Sequence, residues 1–108
     1  MPYQIEFAAS VVPQLEALTA NERTLLLEAV EQQLVHEPLV ETRNRKLLRP
    51  NPIAPWELRV GELRLFYEVK GNDQGQSEPP EVPGTVFVLA VGKKEGSVLR
   101  IAGKRVTL

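Results

Sequence analysis

From Trp56 to Glu68 apolar and polar residues largely alternate, with one break at Gly61-Glu62. The pattern predicts a β-hairpin closed by a two-residue turn, in which glycine supplies the positive φ such turns favour. The turn sets the register: Val60 opposes Leu63, Arg59 opposes Arg64, Leu58 opposes Leu65 and Trp56 opposes Tyr67. Trp56, Leu58, Val60, Leu63, Leu65 and Tyr67 then share the core face, and Glu57, Arg59, Arg64, Phe66 and Glu68 share the opposite one. Two arginines stand directly across the ladder, where like charges destabilise a sheet. That opposition marks the face as a place to look for function.

The rest of the chain supplies partners for the hairpin. Residues 3–8 (YQIEFA) alternate as a half-buried strand does. Residues 10–18 read as a short helix if Pro13 lies in its first turn. Thr19 and Glu22 form a capping-box signature, after which Leu26, Ala29, Val30, Gln33 and Leu34 recur at helical spacing. This predicts a helix over 20–36, ended by Pro38, and an antiparallel helical hairpin lying on the sheet. Residues 40–55, polar and proline-rich, read as a surface connection. Residues 71–84 (GNDQGQSEPPEVPG) have no apolar run and read as a flexible insertion. TVFVLAVGKK (85–94) is apolar on both faces, as in a central strand covered on both sides, and 97–108 reads as one more strand or a small hairpin around Ala102-Gly103. The order β-α-α-β-β-β, with a possible extra C-terminal strand, predicts one α+β domain over 1–108, its helices on one face of an antiparallel sheet. The face bearing Arg59 and Arg64 is expected to look outward.

The net charge of −1 conceals a split. Residues 1–42 hold seven glutamates against Arg23 alone, a balance of −6, and residues 43–108 hold twelve basic residues against seven acidic ones, +5. A basic working surface backed by an acidic one suits nucleic acid or an acidic partner. No cysteine is present, which excludes disulfides, thiolate nucleophiles and cysteine-ligated metals, and the single histidine, His36, gives little scope for a metal site. No metal and no cofactor are expected. The longest clean apolar run, VFVLAV, is far short of the ~20 residues a membrane helix needs. The N-terminus carries neither a basic region nor a long apolar one, so a cytoplasmic protein without membrane contact is expected.

The stretches Lys46-Leu47, Trp56-Glu57-Leu58-Arg59-Val60-Gly61, Arg64, Tyr67 and Val88-Leu89-Ala90-Val91-Gly92-Lys93-Lys94 together resemble the RelE/ParE superfamily of bacterial toxins. The resemblance implies the toxin of a type II toxin–antitoxin pair, bound by a cognate antitoxin. It leaves three activities open: metal-independent mRNA cleavage on the ribosome, non-catalytic inhibition of DNA gyrase, and a non-toxic antitoxin-binding co-repressor. By family position Arg64 and Lys94 are phosphate-contact residues. The sequence departs from the nuclease pattern at Pro55 and Glu57, where lysines are usual, and at Arg100, where a tyrosine is usual. RNA cleavage needs charge stabilisation on a phosphorane, which arginine forks supply. Arg64, Arg59, Glu57 and Lys94 are therefore the expected catalytic set, with Glu57 as general base because it shares the arginines' face. Arg43, Arg45, Lys46, Arg49, Lys93 and Arg100 are expected to bind RNA, with Phe66 stacking on a base.

Overall fold

The structure is a computed structural model that describes residues 2–71 and 84–107. Strand β1 (Gln4–Phe7) leads into α1 (Val11–Glu16) and α2 (Ala20–Gln33), then β2 (Arg45–Leu47), β3 (Trp56–Val60), β4 (Leu63–Gly71), β5 (Gly84–Glu95), β6 (Val98–Ile101) and β7 (Lys104–Val106). One seven-stranded sheet runs β2-β3-β4-β5-β6-β7, and β1 pairs with β5 off that path. All pairings are antiparallel except β1–β5. The expected α+β architecture is present. Most of the loop expected at 71–84 lies outside the described residues, but its two end glycines pair as the last rung between β4 and β5.

The central hairpin follows the alternation residue for residue. Arg59 opposes Arg64, Trp56 opposes Tyr67, and Gly61 takes φ +59° at the turn. The inward face is Trp56, Leu58, Leu63, Leu65 and Tyr67, buried against Val11, Leu26 and Val30 of the helices and Leu34 just past α2. Trp56 and Tyr67 stack with ring centroids 6.0 Å apart, and the Tyr67 hydroxyl donates to the Pro38 carbonyl at 2.6 Å. Burial pushes the Tyr67 pKa upward, so the hydroxyl remains a donor.

Strand β5 borders β1 along its first half and β6 along its second. Its pairing with β4 jumps from Phe66–Ala90 to Tyr67–Val88, leaving Leu89 as the extra residue of a bulge. The bulge lets Val88 and Val91 both join the helix-side core while Ala90 joins the other. In the gap between β1 and β6, the Val91 N–H donates to the Gln14 side-chain oxygen of α1 at 2.9 Å. This bond anchors the short helix to the sheet.

Helix α2 starts where the capping box places it: Glu22 N–H donates to Thr19 Oγ1 at 3.1 Å and Thr19 N–H donates to Glu22 Oε1 at 2.9 Å. It stops three residues before the expected end, at Gln33. The carbonyls there have other partners, since the Gln33 oxygen accepts from Arg45 Nη1 at 2.8 Å and the Val35 oxygen accepts from Tyr3 N–H at 2.6 Å. Glu22 also meets Lys93 Nζ at 3.0 Å. The Thr19 backbone N–H and then Lys93 hold its carboxyl below the ordinary glutamate range. Its stabilising contribution is therefore present above the unfolded-state pKa, about 4.3, and is lost as pH falls through the lower folded value. Thr19→Ala is expected to cost ~1 kcal/mol in urea denaturation at neutral pH. Glu22→Gln should flatten the acid limb of the stability profile.

The second face of the sheet is not left open. Ala54, Phe66, Ala90 and Leu99 form a second buried cluster, joined by Leu48, Ile53, Ile101 and Val106. The β6–β7 hairpin and the 48–55 segment fold over this face, correcting the expectation that it looks outward. At Gly92 a Cβ would fall against the Arg100 carbonyl oxygen, so glycine is required where β6 crosses closest. The 40–55 stretch is likewise more than a surface connection, because it contributes β2 and the buried Ala54. Asn51 organises its turn, donating to the Arg49 and Ala54 carbonyls and accepting from the Ile53 and Ala54 N–H groups. No helix among the described residues is long and apolar enough to cross a membrane.

Candidate phosphate-binding groove

Strand alternation sends Glu57 and Arg59 of β3, Arg64 of β4 and Lys94 of β5 to the same face as the second cluster. Lys46 of β2 also points there, since it pairs with Glu57 across the β2–β3 ladder. Beyond the apolar residues this face opens into two adjoining recesses. One, of about 200 Å³, is lined by Leu48, Arg49, Asn51, Glu57, Arg59 and Lys94. The other, of about 430 Å³, shares Arg49, Glu57 and Lys94 and extends to β6 and β7. Together they make a groove with one carboxylate on its floor and cations on its walls.

The opposed arginines settle their repulsion by turning apart. Arg59 Nε donates to Glu57 Oε1 at 2.7 Å, while Arg64 Nη1 donates to the Gly61 and Leu63 carbonyls at 2.7 and 2.8 Å. Burial lowers the Arg64 pKa; Arg59 pushes it the same way, while Glu57 and Glu62 oppose the shift. The guanidinium is still charged at neutral pH. Arg64 lies beside the groove, outside the residues lining either recess. Glu57 is 6% exposed and sits under Arg59, whose own side chain is 44% exposed. A buried carboxylate of this kind persists because a cation and a hydrogen bond compensate it.

The other expected RNA contacts divide. Arg49 lines the groove and Lys46 flanks it, whereas Arg43 is exposed on the loop before β2 and lines neither recess. Arg45 is only 7% exposed and is corrected to a structural role. Its guanidinium donates to the Val40 carbonyl and to the backbone and side-chain oxygens of Gln33, tying β2 to the end of α2. Phe66 is 0% exposed in the second cluster and offers no ring face to a base. Lys93 and Arg100 pair across β5 and β6 on the opposite face, where Lys93 meets Glu22. Only Lys94 of the lysine pair reaches the groove. Sequence reading passed over Arg105, which borders the larger recess from β7.

No family model and no curated protein matches the sequence. Among solved structures, the chain aligns with one in the toxin–antitoxin complex RelBE2 from Mycobacterium tuberculosis, at a TM-score of 0.64 and 26% identity. The alignment covers 87% of this chain and 100% of that one. The chain is RelE-like. The similarity agrees with the motif residues from Lys46 to Lys94, which this fold gathers onto β2–β5.

Proposed function

We propose that this chain is the toxin of a type II toxin–antitoxin pair, and that it cuts mRNA on the ribosome without a metal. The observation that carries the reading is the convergence of Glu57, Arg59, Arg49 and Lys94 on one groove, with Arg64 at its edge. The similarity to a toxin–antitoxin complex supports a cognate antitoxin as the regulatory partner.

The groove's resting ion pair suggests how the chemistry begins. A substrate phosphate competes for the Arg59 fork, offering two oxygens where Glu57 offers one bonded oxygen. Released from Arg59, the Glu57 carboxylate takes the proton of the 2′-hydroxyl as general base. The 2′-oxygen attacks phosphorus, the bond to the 5′-oxygen breaks and that oxygen takes a proton from solvent water. The products are a 2′,3′-cyclic phosphate and a 5′-hydroxyl, and Glu57 returns its proton to solvent. Arg64 exchanges the turn carbonyls for the non-bridging oxygens, where negative charge grows in the transition state. Lys94 adds a mobile ammonium, and Arg49 and Lys46 hold flanking phosphates.

One observation favours a second reading, a non-catalytic inhibitor of DNA gyrase: in the free chain Glu57 is already neutralised by Arg59. The two are separated by mRNA cleavage on programmed ribosomes and a gyrase supercoiling assay, run with the same preparation. Cleavage with intact supercoiling is expected. Inhibited supercoiling without cleavage would establish the second reading, and neither effect would leave a partner-binding co-repressor.

A further inference from the structure

The cation wall of the larger recess is completed by a residue that the proposed chemistry does not use. Strand β7 places Arg105 directly opposite Arg100, a second pair of facing arginines, and Arg100 in turn faces Lys93. Three cations in one cross-strand row repel one another. Lys93 is relieved by Glu22, whereas among the described residues no carboxylate forms an ion pair with Arg100 or Arg105. Arg105 is exposed on β7, the outermost strand, and it borders the recess of about 430 Å³.

That recess has an unbalanced lining. Arg49, Lys94 and Arg105 border it with a single carboxylate, Glu57, which is committed to Arg59. Ser97 and Thr107 add hydroxyl donors at the rim. The two recesses meet at Arg49, Glu57 and Lys94, then diverge toward Arg59 on one side and Arg105 on the other. We propose that Arg105 forms a second anion subsite on the β6–β7 hairpin, which takes a phosphodiester flanking the one held at Arg59 and Arg64 in a single-stranded polynucleotide. This inference rests on the RNA-cleaving reading of the groove. It makes Arg105 a positioning residue, acting on binding and alignment while the bond-breaking groups lie elsewhere.

The test uses the full chain and a fluorescently labelled, single-stranded RNA, titrated over a range of salt concentrations. Arg105→Ala is expected to weaken binding several-fold and to reduce the slope of log affinity against log salt by about 0.7, one single-strand phosphate contact. Arg105→Lys should restore the slope, and thermal unfolding of both variants should match the parent because the side chain is exposed. In ribosomal cleavage, Arg105→Ala should raise KM with kcat nearly unchanged. If Arg105→Ala binds with the parental affinity and slope while Arg64→Ala does not, the subsite is refuted and the groove reading stands. If the parent chain shows no salt-dependent RNA binding and no cleavage, both fall.

Discussion

Replacing Arg64 with alanine is expected to lower ribosome-dependent mRNA cleavage by ~10²–10³ while leaving the fold intact, the usual effect of removing one donor from a developing oxyanion. The side chain is spent in the free protein on two turn carbonyls that water can serve equally well. Its loss therefore costs little stability and falls on the transition state. Arg64→Lys should recover only part of the rate, because an ammonium is a point charge and cannot meet two oxygens with a planar fork. Arg59→Ala is expected to act differently. It removes a phosphate ligand and also strips Glu57 of the cation that compensates its burial. A drop in stability should accompany its loss of rate, which separates the two opposed arginines experimentally.

The second large effect concerns the residue whose expected role the structure reverses. Phe66→Ala should destabilise the protein by ~3–5 kcal/mol in urea denaturation, since it empties the centre of the second cluster. Small domains have only ~5–15 kcal/mol in total, so this variant will be partly unfolded at elevated temperature. Phe66→Leu keeps most of the volume and should cost less than ~1.5 kcal/mol. Leucine cannot stack as an aromatic ring does. If Phe66 held a base, the leucine variant would be folded and poorly active. With Phe66 in the core, the leucine variant should cleave like the parent, and activity in the alanine variant should follow its folded fraction.

These two residues also show where the sequence was legible. The hairpin register, the facing arginines and the capping box depend on rules spanning a few residues, and each stands in the structure as the local pattern requires. Phe66 obeyed the same alternation, which sent it to the face away from the helices. Whether that face is wet depends on where β6, β7 and residues 48–55 come to rest, and alternation carries no such information. Arg45 sits in a run of polar residues that looks solvated. Its burial depends on oxygens of Gln33 and Val40, one of them twelve residues away. Lys93 and Lys94 are neighbours in sequence and occupy opposite faces, their assignment set by the bulge at Leu89. Nothing in an all-apolar strand announces a bulge. The candidate site was thus legible at Glu57, Arg59, Arg49 and Lys94, and obscure where burial or the bulge decided the outcome, at Phe66, Arg45 and Lys93.

The charge split acquires a structural meaning as well. The glutamate-rich first part of the chain supplies the helices, while the groove draws its cations from β2 onward.

If the groove cleaves RNA, Glu57 and Arg64 act on a scissile phosphodiester held in it. Primer extension on a ribosome-bound message distinguishes the outcomes, comparing the parent chain with Arg64→Ala and Glu57→Gln at equal ribosome occupancy. Defined cleavage positions are expected with the parent, the same positions at a strongly reduced rate with Arg64→Ala, and a reduced rate at unchanged ribosome binding with Glu57→Gln. Equal cleavage by all three proteins would contradict those roles.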